Sequence, residues 1–171
     1  MSRLESFIRR LDAQRRCLDW AVAAITGRPG VVLELGLGNG RSYDHLASRL
    51  EPGRALYAFD RVCAAHPASI PPSGRLILGD LSETLPRFAA RGLVVALVHA
   101  DLGSGDDAAN AAQARLLAPI IATLLAPEGL VLSDQALDDA ALRPLAPPAL
   151  VPADRYFVYR RAAARSTITG T

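Results

Sequence analysis

Five short apolar runs, VVLEL (31–35), ALYAF (55–59), RLIL (75–78), LVVALVH (93–99) and LVLSD (130–134), punctuate the chain at intervals filled largely by helical patterns. None shows the apolar/polar alternation of a strand with one wet face, so each reads as a strand covered on both sides. Strands of that kind, joined through helices, make a parallel sheet with a helical layer on each face. The expected fold class is therefore α/β, doubly wound and mostly parallel, with helices expected from about Ser42 to Leu50, over LSETLPRFAA (81–90) and between His99 and Leu130.

The ends of the chain add to this core. Leu4, Phe7, Ile8, Leu11, Leu18, Val22 and Ile25 recur at the helical period, and Ser2 with Glu5 matches a capping box, so residues 1–29 form an N-terminal helical extension of one helix or two, stopping near Gly27-Arg28-Pro29-Gly30. Residues 30–135 hold the repeated strand and helix pattern. In the tail, 136–171, the four prolines of LRPLAPPALVPAD exclude a regular central strand, whereas RYFVYRR has the composition of a terminal strand at an edge or in a hairpin. With 171 residues and no domain-scale linker, one domain is expected. No apolar run is long enough to span a bilayer and the N-terminus lacks a signal-peptide core, which points to a cytoplasmic protein with no membrane partner. All 19 basic residues are arginine and scattered, and the net charge is only +2, so no nucleic-acid surface is indicated. Cys17 and Cys63 lack metal or disulfide spacing.

The chemistry concentrates directly behind the first strand, where Glu34-x-Gly36-x-Gly38-x-Gly40 leads into a helix. In a doubly wound sheet ligands bind beyond the carboxyl ends of the strands, and glycines there allow close backbone approach before the helix N-terminus. The dinucleotide fingerprint GxGxxG would need its third glycine at Arg41, and no GxxxxGK[ST] phosphate loop occurs. The loop thus suits a nucleotide-like ligand.

This E-x-G-x-G-x-G run resembles motif I of class I S-adenosylmethionine-dependent methyltransferases, small enzymes built on a Rossmann-like sheet, and the likeness continues in order. Asp60 ends the second strand, with Arg61 behind it; Gly79-Asp80-Leu81 ends the third; His99-Ala100-Asp101 ends the fourth; and Leu125-Ala126-Pro127-Glu128-Gly129 resembles the turn leading to the fifth. The resemblance covers roughly Val31 to Asp134. It implies S-adenosyl-L-methionine as cofactor, held by Glu34, Gly36, Leu37, Gly38, Asn39, Gly40, Asp60, Arg61, Gly79, Asp80, Leu81 and Asp101. The carboxylate after strand two would accept from both ribose hydroxyls, and that after strand three from the adenine amine. Glu34 and Asp101 would set negative charge near a cationic sulfonium and ammonium. Capping the turns after their strands is the lesser alternative for Asp60 and Asp80.

The methyl acceptor has no motif of its own. Asp101 is the preferred functional acid, with His99, Asp134 and Gln135, and Tyr43, Asp44 and His45 at the first helix, as further candidates; His99 fits sheet packing equally well, and Trp20 fits a helix core better than a pocket. Catechol-type O-methyltransferases are similar in carrying a magnesium site where Asp101, Asp134 and Gln135 stand, but they have asparagine at the last position, and no metal is assigned. HADLGSGDD is unlike the [DN]PP[YF] segment of amino-methyltransferases acting on nucleic-acid bases or protein amides. The expected activity is methyl transfer to a small molecule, with homo-oligomerisation left open; a cofactor-binding module without turnover and an NAD(P)-dependent oxidoreductase are the alternatives.

Overall fold

A computed structural model describes residues 2–152 and 155–163. One seven-stranded sheet organises them: β1 (Val31–Leu35), β2 (Leu56–Asp60), β3 (Leu76–Leu78), β4 (Val95–Ala100), β5 (Leu125–Ser133), β6 (Leu142–Leu145) and β7 (Phe157–Arg161), in the order β3-β2-β1-β4-β5-β7-β6. All are parallel except β7, which runs antiparallel to both of its neighbours. The order reverses between β1 and β4, which opens a crevice at their carboxyl ends.

Helices cover both faces. The N-terminal extension is a single helix, α1 (Arg3–Ile25), opened by the Ser2/Glu5 capping box. With α2 (Arg41–Arg49) it packs Leu18, Val22, Ile25 and Leu46 against Val32, Leu97 and Leu132 of the sheet. On the other face α3 (Leu81–Ala89) and α4 (Asp107–Leu124) set Leu85, Phe88, Leu117 and Ile121 against Leu33, Phe59, Val98 and Val131. Burying such side chains on both sides of the strands, at roughly 1.5–3 kcal/mol each, explains the unbroken apolar runs. Trp20 packs against the α1/α2 core. Among the described residues no helix is long and apolar enough to cross a membrane.

One local expectation changes and one is resolved. LAPEG is no separate turn: α4 runs into β5 at Leu125, and the extra residues are taken up as an irregularity, Val95 aligning with Leu125 and Leu97 with Leu130, with Glu128 at φ 63°. The terminal strand takes the second of its two expected places, in an antiparallel hairpin with β6. β7 lies between β5 and β6, and the edge falls to β6, where Pro144 costs the sheet no central hydrogen bond. Residues 164–171 of the tail lie outside the described residues.

Candidate functional site

The loop after β1 is built on three glycines that do different work. Gly36, at φ 87°, lies so near the fourth strand's loop that a Cβ would stand 2.6 Å from the Asp101 carbonyl oxygen. Gly40, at φ 88°, faces away from the crevice, where a Cβ would meet the Ser69 Cβ at 2.6 Å; it admits the short 3₁₀ turn Pro67–Ser69, which His66 N–H ties to the Asn39 carbonyl at 3.0 Å. Only Gly38, at φ 49°, looks into open space. Its N–H donates to Asp60 Oδ2 at 2.9 Å, while Arg61 N–H donates to Asp60 Oδ1 at 2.7 Å, so the loop is pinned to the end of β2.

A cavity of about 570 Å³ opens here. Gly36 and Gly38 form its floor, Asp60, Arg61, Asp80, Leu81 and Asp101 the strand-end rim, and residues 102–104 with Leu116 and Leu117 of α4 its far wall. Three carboxylates from the ends of β2, β3 and β4 thus share one partly apolar cavity, a donor-hungry lining that suits amines, hydroxyls and positive charge. Asp80 also caps α3, accepting from Ser82 N–H at 2.9 Å and Ser82 Oγ at 2.7 Å; these bonds, with Arg61 nearby, hold its carboxyl below the usual range. Its capping and cavity-lining roles therefore coexist.

Several expected site residues lie elsewhere. Leu37 is buried in the α1/α2 core, and Asn39, Gly40 and Gly79 shape turns without lining the cavity. Glu34 is wholly buried beneath the loop, accepting from Ser42 Oγ and from His99 Nδ1 at 2.6 Å, and does not reach the cavity. The cause is register: Glu34 and His99 are paired neighbours on β1 and β4, so their side chains share the face under α1. His45 is likewise turned to Asp19 of α1 at 2.9 Å, Tyr43 is buried against the core, and Asp44 is exposed on α2 without lining the cavity.

Asp134 holds the cavity's far wall. Its carboxylate accepts from Leu102 N–H at 3.1 Å and Gly103 N–H at 2.8 Å, and Gln135 Nε2 donates to it at 3.2 Å. Both oxygens are engaged inward, and among the described residues no group of three or more histidine, cysteine or acidic side chains is arranged to hold a metal ion.

Three residues that the motif reading passed over, Gln14, Arg10 and Tyr156, meet around Asp101 and His99. Asp101 Oδ2 accepts from Gln14 Nε2 at 2.8 Å and lies 3.5 Å from the Arg10 guanidinium, both on α1. The Gln14 amide also reaches the buried Tyr156 hydroxyl at 3.4 Å, which in turn hydrogen-bonds His99 Nε2. Burial, and then the charge of Asp101, push the Tyr156 phenol well above its ordinary value, so it keeps its proton. For His99, burial works against the charged form, but Glu34, with Asp101 and Asp134, outweighs it and the net shift is upward. One sequence signal did mark Gln14: it occupies the apolar stripe of α1 between Leu11 and Leu18, where a polar residue needs a buried partner.

Comparison with known proteins agrees with this geometry. Residues 1–161 match the model of a family described as S-adenosyl-L-methionine methyltransferase. The crystal structure of an S-adenosyl-L-methionine methyl transferase from Silicibacter pomeroyi DSS-3 is 45% identical, with a TM-score of 0.89 over 95% of this chain and 99% of that one. TrmN from Thermus thermophilus (22% identity, TM-score 0.61, 84% of this chain and 48% of that one) and cofactor-bound Rv0187 from MTB (16%, 0.61, 94% and 89%) share the fold. No curated protein matches the chain. With a family match over nearly its whole length and a close solved relative, the chain belongs to the S-adenosyl-L-methionine methyltransferase family.

Proposed function

We propose that this methyltransferase transfers the methyl group of S-adenosylmethionine to a small-molecule acceptor, with Asp60, Asp80 and Asp101 as the polar contacts of the cofactor. The observation that carries the reading is the single cavity of about 570 Å³ lined together by Asp60, Asp80, Asp101 and Gly38, the last with open space at its Cβ position. A volume of that size belongs to small-ligand sites. The residues present fit the cofactor: a Cβ at Gly38 would project into the open space, carboxylates suit its hydroxyls, amine and positive charge, and Phe59, Leu81, Leu102 and Leu117 offer an apolar bed for a flat base.

When bound, the cofactor supplies an electrophilic methyl group on a sulfonium. The chain's own part is to position and to exclude water. Asp60, locked by two backbone N–H groups, presents its remaining lone pairs to the cavity at the end of β2. Leu81 at the start of α3 and Leu117 on α4 close its apolar side. Asp101, with its side chain one-fifth exposed, is the acid nearest the fourth strand's mouth, and in this reading it holds positive charge or takes a proton from an acceptor that must lose one. Family membership favours this cofactor over a nicotinamide.

The test is incubation with methyl-labelled cofactor and a cell extract split by size. Label in a low-molecular-weight compound separated by chromatography from the cofactor, absent with Asp101→Asn, supports the proposal; transferred label found only in protein or nucleic acid overturns the small-molecule acceptor while leaving methyl transfer intact.

A further inference from the structure

We propose that Gln14 and Tyr156 are positioning residues for Asp101, and that through it they set the preference of the site for the cationic cofactor over its neutral thioether product. The inference rests on the reading above in which Asp101 faces the cofactor.

Asp101 follows β4 at the rim of the cavity, on the strand face that points toward α1, where Arg10 lies 3.5 Å from its carboxylate and Gln14 supplies the shorter and more buried tether. The side chain is nearly buried and its Nε2 carries two protons, one directed to Asp101 Oδ2 at 2.8 Å and the other to the Tyr156 oxygen at 3.4 Å. Turning the amide over would set its carbonyl oxygen against a carboxylate, so the acceptor on one side and the phenol on the other select a single orientation.

What stands behind Tyr156 keeps that selection. With His99 carrying one proton, on Nδ1, the imidazole donates to Glu34, accepts from the Tyr156 hydroxyl, and leaves the phenol oxygen to accept from Gln14. With a second proton on His99 the phenol oxygen accepts from both Nε2 and Gln14. Gln14 donates in both states, and the direction of the bond to Asp101 does not depend on the histidine. An amide does not hand protons on, so the chain from Glu34 to Asp101 orients and does not conduct. It ties α1, β1, β4 and the segment before β7 to one cavity carboxylate.

The experiment is titration calorimetry of Gln14→Leu, Tyr156→Phe and Asp101→Asn with S-adenosylmethionine and S-adenosylhomocysteine, each variant checked for folding by its melting temperature. Gln14→Leu removes a hydrogen bond to a charged group, and its expected effect is an about tenfold loss of affinity for the cation with little change for the thioether. Tyr156→Phe shifts the ratio in the same direction by less. If Gln14→Leu weakens both ligands equally, its role is structural and the proposal falls. If Asp101→Asn lowers the ratio but Gln14→Leu does not, positioning is refuted and the cofactor-facing Asp101 stands. If Asp101→Asn itself leaves the ratio unchanged, the underlying reading of the site fails. Should Tyr156→Phe not fold, Gln14→Leu, which places an apolar side chain among the apolar neighbours of α1, decides alone.

Discussion

Gly36→Ala and Gly38→Ala differ by two positions in one loop, yet the structure assigns them different failures. At Gly38 the added methyl meets nothing within 4 Å, and φ of 49° falls in the left-handed region, so the fold loses only the backbone cost of about 1 kcal/mol. At Gly36 the methyl stands 2.6 Å from the Asp101 carbonyl oxygen and 2.9 Å from Leu102 Cδ2, so the loop after β4 must move; overpacking adds roughly 2 kcal/mol to the backbone cost, for about 3 kcal/mol in all. For a chain of this size about 3 °C of melting temperature follows each kcal/mol, giving drops of about 3 °C and about 9 °C. Cofactor affinity runs the other way for its cause: Gly38→Ala fills the cavity floor and should lose binding of both S-adenosylmethionine and S-adenosylhomocysteine while staying folded. Scanning calorimetry without ligand and titration calorimetry with each ligand separate the two. Equal drops in melting temperature, or wild-type affinity in Gly38→Ala, would refute the assignment of Gly38 to the ligand and Gly36 to packing.

Three further outcomes are expected. Asp60→Ala removes the acceptor that anchors Gly38 N–H and should weaken binding of both ligands by about tenfold or more in calorimetric titration. Asp134→Ala releases the N–H groups of Leu102 and Gly103, which should cost about 2 kcal/mol in denaturant unfolding and lower cofactor affinity through a looser cavity wall, with added magnesium restoring neither. His99→Leu leaves the Glu34 charge buried without its imidazole and should cost about 3–5 kcal/mol. Because the folded pKa of His99 is raised, its contribution is complete below the unfolded value near 6.5 and is lost as pH rises through the folded value; Glu34→Gln should flatten that decline in a series of unfolding midpoints.

The sheet and the cavity carboxylates were legible because each acid ends an apolar run, and a strand end in a doubly wound sheet is a place as well as a position in sequence. Asp60, Asp80 and Asp101 therefore needed no knowledge of distant partners. Glu34 did. Its fate depends on the register that sets His99 beside it 65 residues later, which only the strand order reveals. Gln14 and Tyr156 lie 142 residues apart and meet through two elements, neither of which carries a motif. Gly40 was assigned to the ligand by spacing, whereas the space it leaves is taken by Ser69, a contact that spacing does not encode. For β7 the sequence left edge and hairpin both open, because composition reports that a strand forms and not which neighbours it finds; the pairing with β6 decides for the hairpin.

That placement of β7 governs the order in which the molecule can be completed. β6 has only β7 to pair with, and β7 inserts between it and β5, so a chain emerging from synthesis carries β5 with an open hydrogen-bonding edge, and β6 unpaired, until residues 157–161 arrive. The segment that closes this edge also delivers Tyr156 to α1. Assembly of the sheet and completion of the Gln14–Tyr156–His99 contacts thus finish in the same late event, and a chain cut short before β7 would expose a sticky strand edge and leave the buried His99 without its phenol partner.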